Sequence, residues 1–176
     1  MTQKIRTGFF GGSFNPIHAG HLALGDYLTE NNIVDECWFV VSPKNPLKAS
    51  ADPSDAQKRL LEVRKALKNH AGCSASDIEF SLPCPSYTVQ SLCQAEKLYP
   101  NREFVLIMGG DNLDVFGKWK DYAFLREHYD ILVYPRPGYS NQIPEGWNRV
   151  TLLNDAPLMD ISSTQIRKET ETGVPE

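Results

Sequence analysis

The sequence has no excess of positive charge. Against 22 acidic residues it carries 18 lysines and arginines, for a net charge of −4. It therefore has no basic surplus with which to neutralise a nucleic-acid backbone. Anionic small molecules, which need only a few local cations, stay within reach. The four cysteines (Cys37, Cys73, Cys84, Cys93) form no close metal-type pair, and there is no signal-peptide pattern or long apolar run. The expectation is reduced thiols in a cytoplasm and no membrane partner. No Gly-Lys-Ser/Thr follows a glycine turn, which excludes the Walker loop, and the dinucleotide fingerprint is missing too. A zinc site would need ligands beyond His18 and His21, while His70 and His128 stand in unpromising contexts. Internal repeats, linkers and low-complexity tails are also lacking.

What is present is an alternation. At 176 residues the chain is expected to form one domain, residues 1–176, with a proper core. Ile5 with Gly8 to Phe10 reads as a strand. Cys37 to Val41 is continuously apolar, as a strand buried on both faces is. Ile78 to Leu82, Glu103 to Met108, Asp130 to Tyr134 and Val150 to Leu153 read as further strands. Helical patterns lie between them: one through Leu24, Tyr27 and Leu28, one from Asp52 to about His70, one from Tyr87 to about Leu98, one ending near Tyr129. Arg59, inside the second, reads equally as a solvated face residue. The pattern predicts an α/β fold, Rossmann-like and doubly wound, with a mostly parallel sheet and helices on both faces.

Gly11-Gly12-Ser13-Phe14-Asn15-Pro16-Ile17-His18-Ala19-Gly20-His21 joins the first strand to the first helix. Two glycines let the backbone approach a ligand and bare its N–H groups. The helix adds the positive end of its dipole, so the turn reads as an anion site. His18 and His21 fall on neighbouring points of the first helical turn. Two imidazoles beside backbone donors suit a phosphate on which charge builds. Glycine turns before helices are common, however, and a His pair can be a surface accident or half a metal site.

Three more loops follow strands. Lys44-Asn45-Pro46-Leu47-Lys48 is one, Gly109-Gly110-Asp111-Asn112 another. The third runs from Asp160 to Arg167, where Ser162, Ser163 and Thr164 can cap a helix or donate to phosphate. Ligands of open α/β sheets gather beyond the carboxyl ends of strands, so this convergence says more than any single loop. On spacing alone, Lys44 and Lys48 read as solvated, Ser86 and Thr88 as helix caps, and Trp119 as a packing anchor.

The eleven residues from Gly11 to His21, ending His-x-Gly-His, resemble the nucleotidyltransferase signature. Further blocks are Ser86-Tyr87-Thr88, Gly110-Asp111-Asn112-Leu113 with Trp119, Arg136-Pro137-Gly138-Tyr139, and Ile161 to Arg167. Together, in order and over nearly the whole chain, they look like the nicotinate-nucleotide adenylyltransferase family. The first and last blocks are shared by related adenylyltransferases; the Ser-Tyr-Thr and Asp-to-Trp blocks are more particular to pyridine-nucleotide enzymes. Ser13 and Asn15 stand where Thr and Asp are more usual, a change that preserves the turn. The chain also stops soon after Arg167, where family members commonly run a little further.

The resemblance implies that the phosphate of nicotinate mononucleotide attacks the α-phosphorus of ATP, giving deamido-NAD and pyrophosphate in NAD biosynthesis. It implies catalytic roles for His18, His21, Lys48 and Arg167. ATP contacts are expected from Gly11, Gly12, Ser13, Phe14, His18, His21, Asp111, Ile161, Ser162, Ser163, Thr164 and Arg167. Acceptor contacts are expected from Asn15, Lys44, Ser86, Tyr87, Thr88, Asp111, Trp119 and Arg136. Mg2+ is expected to arrive with ATP. Trp119, read as exposed, would stack on the nicotinate ring, and Thr88 would meet its carboxylate, favouring acid over amide. The rivals are transfer to nicotinamide mononucleotide or phosphopantetheine, and a nucleotide-binding regulator without turnover. The intact His18, His21 and Arg167 argue against the regulator. Oligomeric state stays open, a homo-oligomer included.

Overall fold

A computed structural model describes residues 3–43, 53–83 and 87–157. It contains a six-stranded sheet of β1 (Ile5–Gly12), β2 (Glu36–Val41), β3 (Cys73–Ser76), β4 (Arg102–Gly109), β5 (Ile131–Tyr134) and β6 (Val150–Leu152). The order is β3-β2-β1-β4-β5-β6, and every neighbouring pair is parallel. Parallel strands require crossovers. The helices are α1 (Ala19–Glu30), α2 (Pro53–Ala66), α3 (Thr88–Leu98), α4 (Gly110–Val115) and α5 (Tyr122–His128).

Strand periodicity divides the apolar runs between two layers. Phe10 of β1 joins a core with Leu24 and Leu28 of α1 and Leu60 and Val63 of α2. Its neighbour Phe9 joins a second core with Val89 and Leu92 of α3 and Leu125 of α5. In β4, Val105 and Ile107 belong to the first core, and Phe104, Leu106 and Met108 to the second. Alternate side chains of one buried strand therefore serve opposite faces. Each fully buried Leu or Phe contributes ~1.5–3 kcal/mol. α1 packs so tightly that a Cβ at Gly25 would meet the Phe39 ring at 2.9 Å and Cys73 Sγ at 3.0 Å. That contact accounts for a poor helix former in mid-helix.

Two expectations need correction. The third strand is Cys73–Ser76, paired from Cys37↔Cys73 to Val40↔Ser76, and Ile78–Ser81 is a 3-10 turn. Serine side chains offer that backbone local partners in place of a ladder: Ile78 N–H donates to Ser76 Oγ (3.3 Å), and Ser81 Oγ donates to the Ile78 carbonyl (3.0 Å). The stretch after β4, read as a turn, enters α4 directly at Gly110.

Chain order reverses at β1, which has β2 on one side and β4 on the other. The crevice beyond their carboxyl ends is where such sheets take ligands. Gly12, Val41 and Gly109 end the three strands bordering it, and Tyr134 ends the next strand, β5. The opposite end of the sheet is tied by charge: Arg6 bridges Glu103 (3.2 Å) and Asp130 (3.1 Å), and Arg149 also meets Asp130 (3.0 Å). Among the described residues, no helix is long and apolar enough to cross a membrane.

Candidate functional site

The first loop differs from a simple glycine turn. Gly11 and Gly12 still belong to β1, opposite Val40 and Val41, so the turn proper runs from Ser13 to His18. Phe14 takes φ 47° there, a left-handed conformation that costs a bulky residue ~1–3 kcal/mol and persists only where its surroundings impose it. Its ring is buried, in edge contact with Phe10 (5.5 Å) and tilted against Phe39 (5.5 Å). Asn15 sits part-buried in the same turn.

His18 caps α1. Its Nδ1 accepts the Gly20 N–H (3.1 Å), while the His18 N–H donates to Nδ1 of His21 (3.0 Å). This is a capping box made of two imidazoles in place of the usual hydroxyl and carboxamide. With both Nδ1 atoms accepting, each neutral ring carries its proton on Nε2. The rings stack at 3.7 Å and 22°. His21 also meets the edges of Phe14 (5.0 Å) and Phe10 (5.9 Å). Burial, the His18 ring and the Arg136 charge together hold the His21 pKa down to about 3. Burial and Arg136 lower that of His18 as well. The pair is therefore a set of neutral N–H donors at a helix N-terminus, where the dipole favours anions.

Arg136, whose charge reaches both histidines, follows β5. Its backbone is clasped by Asn141: Arg136 N–H donates to Asn141 Oδ1 (2.9 Å), and Nδ2 donates to the carbonyls of Arg136 (3.0 Å) and Tyr139 (3.1 Å). A Cβ at Gly110 would overlap Asn141 Oδ1, so only glycine lets this loop lie against the start of α4. Tyr134, buried at the end of β5, lies 5.8 Å from the ring of Phe10, which in turn meets His21. Burial first, and then the Asp111 carboxylate, push the Tyr134 hydroxyl pKa well up, so it stays a neutral donor. Among the described residues, three buried side-chain atoms have no hydrogen-bond partner: Asp111 Oδ1 and Arg136 Nε at this crevice, and Arg126 Nε, whose guanidinium lies over the Trp147 ring. Such orphaned polar atoms beside a crevice call for a ligand.

A second neighbourhood joins the start of α3 to the segment before α5 through Lys120 and Tyr87. The cap of α3 is Tyr87, whose N–H is taken by Gln90 Oε1 (3.0 Å); Thr88 is the first residue of the helix, which corrects its reading as a cap. Trp119 is half-buried, its ring 5.2 Å from Phe116 at an edge-to-face angle of 63°. It was expected exposed; packing on Phe116 covers one side of it. Lys120 holds its ammonium 5.0 Å from the Tyr87 ring centroid, bringing a cation to the start of α3. The sequence reading missed Lys120, Tyr134 and Asn141. It leaves Arg59 open between a site residue and a solvated face residue; the structure buries it against the carbonyls of Ser13, Ser42 and Pro43. Its one sequence signal was a cation next to Leu60 in the apolar stripe of α2. Lys44, Lys48, Ser86, Ile161, Ser162, Ser163, Thr164 and Arg167 lie outside the described residues.

Comparison with known proteins places the chain in a family. A family model described as cytidylyltransferase-like matches residues 9–169. A protein of Bacteroides fragilis named probable nicotinate-nucleotide adenylyltransferase is 46% identical over 173 residues, 97% of this chain and 84% of its own. One of the same name from Cytophaga hutchinsonii is 47% identical, covering 93% of this chain and 84% of that one. A solved structure of Plasmodium falciparum nicotinic acid mononucleotide adenylyltransferase complexed with NaAD shares the fold at TM-score 0.74. Its identity is 20%, over 93% of this chain and 83% of that one.

Proposed function

The chain belongs to the cytidylyltransferase-like family, and on that premise we propose that it transfers the adenylyl group of ATP to nicotinate mononucleotide, giving deamido-NAD and pyrophosphate. Relatives at 46% and 47% identity carry the name of that activity. The observation that carries the reading is the His18–His21 pair, two stacked neutral imidazoles with both Nδ1 atoms taken by backbone N–H groups. Each is left with an Nε2–H to offer to phosphate oxygens.

An oxygen of the acceptor phosphate attacks the α-phosphorus of ATP. A new P–O bond forms as the bond from that phosphorus to the bridging oxygen breaks, and the electron pair leaves with pyrophosphate. The acceptor is already a nucleophile, so the protein supplies position and charge stabilisation. His18 and His21 donate to the reacting phosphates, and their neutrality spares them repulsion from Arg136. By resemblance, Gly11 and Gly12 at the end of β1 and Ser13 and Phe14 in the turn after it meet ATP. By resemblance, Lys48 and Arg167 grip the departing pyrophosphate with Ser162, Ser163 and Thr164. Asp111 and Arg136 hold their unpartnered atoms for substrate. The α3 N-terminus at Thr88, with Trp119 and Lys120 beside it, reads the nicotinate ring and its carboxylate.

Mg2+ would enter this site as an ion carried by the triphosphate, a hard cation satisfied by phosphate oxygens and water. When bound, it would neutralise charge that collects on pyrophosphate.

Pyrophosphate release from ATP, measured with each phosphate acceptor in turn, tests the proposal. Nicotinate mononucleotide is expected to support it, its amide analogue about 10- to 100-fold less well, since losing a charged hydrogen bond costs roughly 1.5–3 kcal/mol. Preference for phosphopantetheine would reassign the acceptor. ATP binding without turnover on any acceptor would make the protein a regulator.

A further inference from the structure

We propose that Arg59 of α2 is a positioning residue for the phosphate turn, acting through the Ser13 carbonyl; this rests on the adenylyl-transfer reading. Arg59 is 4% exposed, an unusual place for a cation. One guanidinium nitrogen donates to the Ser13 carbonyl (2.6 Å) and the Ser42 carbonyl (2.8 Å), the other to the Pro43 carbonyl (3.2 Å). Its Nε faces Asp55, a half-exposed partner at 3.4 Å. Three backbone carbonyls from two loops thus converge on one planar fork, a geometry that a lysine ammonium does not reproduce.

The two loops leave the carboxyl ends of β1 and β2, the neighbouring strands on that side of the crevice. Ser13 precedes Phe14, the residue held at φ 47°. The Ser13–Phe14 peptide is trans, so pinning its carbonyl toward Arg59 turns the Phe14 N–H to the opposite side. The aromatic cluster fixes the Phe14 side chain from one direction, and Arg59 fixes the preceding carbonyl from the other. Between them they over-determine a conformation that a bulky residue does not choose. Downstream of that turn sits the His18 cap, and with it the direction of both imidazoles.

Arg59→Lys and Arg59→Met test this, with Asp55→Asn as a control for the ion pair. In the ligand-free protein, hydrogen exchange over residues 11–21 and 36–43 is expected to rise about tenfold in both Arg59 variants. It should stay unchanged over 102–109 and in Asp55→Asn. Turnover, assayed well below the melting temperature, should fall at least tenfold with Lys retaining more than Met, and the KM for ATP should rise more than that for the mononucleotide. Unchanged exchange, a uniform rise across the chain, or an Asp55→Asn that matches Arg59→Lys would overturn the clamp. Local exchange with normal turnover in an active protein would overturn the positioning role. A wild type without adenylyl transfer would sink the activity reading alone, leaving the clamp to the exchange data.

Discussion

The imidazole of His21 lies 3.7 Å from that of His18, nearly parallel to it, and accepts the His18 backbone N–H on Nδ1. Stacking, capping and tautomer are fixed by the same few atoms. With Nδ1 occupied, each ring has one donor left. His21→Ala should therefore lower turnover at least ~100-fold, the scale of losing one transition-state donor. Circular dichroism should report a folded protein. Turnover within a factor of about three of wild type would remove His21 from the chemistry.

The same pair sets a pH dependence. An unfolded His21 takes a proton near its ordinary value, 6.5, whereas the folded ring resists until about pH 3. Between those values the unfolded state binds more protons, so stability falls as pH drops from 6.5 towards 3. Denaturant titrations of wild type should show this slope, and His21→Ala should flatten it. A steeper slope in the variant would mean the imidazole is charged in the fold.

Arg136 contributes to that depression through its charge. Arg136→Met should raise the titration midpoints of both histidines in a proton NMR experiment and weaken the mononucleotide. Gly110→Ala should act on the same loop by pushing Asn141 out of its clasp, giving lower activity in a folded protein. An unshifted His21 midpoint in Arg136→Met would place the guanidinium elsewhere.

Much of the fold is legible in the sequence alone. The apolar run at Cys37 to Val41 reads as a buried parallel strand and Glu103 to Met108 as a central one, and both are interior strands of the sheet. Cys73–Ser76 was not legible, because an edge strand written in serine and alanine carries no apolar signal. Ile78 and Phe80 mimicked strand alternation while packing from a 3-10 turn. In the site, His18 and His21 stood out because residue type and spacing suffice. Arg59 and Asn141 did not, since both act on carbonyls and amides that any sequence supplies. Partners of that kind become visible only once the fold has brought distant segments together.

Trp119 tests the acceptor pocket. Packed on Phe116 yet half open, it should cost both stability and binding when removed. Trp119→Ala is expected to lower Tm by a few degrees and to raise the KM for nicotinate mononucleotide, leaving that for ATP nearly unchanged. An equal rise for both substrates would make the residue a packing anchor only.

The cysteines should be bystanders. Burial pushes the Cys37 thiol up strongly and raises Cys73 to about 11, while Cys93 is exposed. Since the thiolate is the reactive form, iodoacetamide should modify Cys93 and spare Cys37 and Cys73 in the folded protein without abolishing turnover. Preferential labelling of Cys37 would contradict the packing of β2.

Following the label from ATP tests the chemistry most directly. With ATP labelled in its α-phosphoryl group and nicotinate mononucleotide as acceptor, the label should appear in a dinucleotide containing both bases, with unlabelled pyrophosphate released in equal amount. Label recovered as AMP, or retained in ATP while the acceptor stays unchanged, would contradict adenylyl transfer at this site.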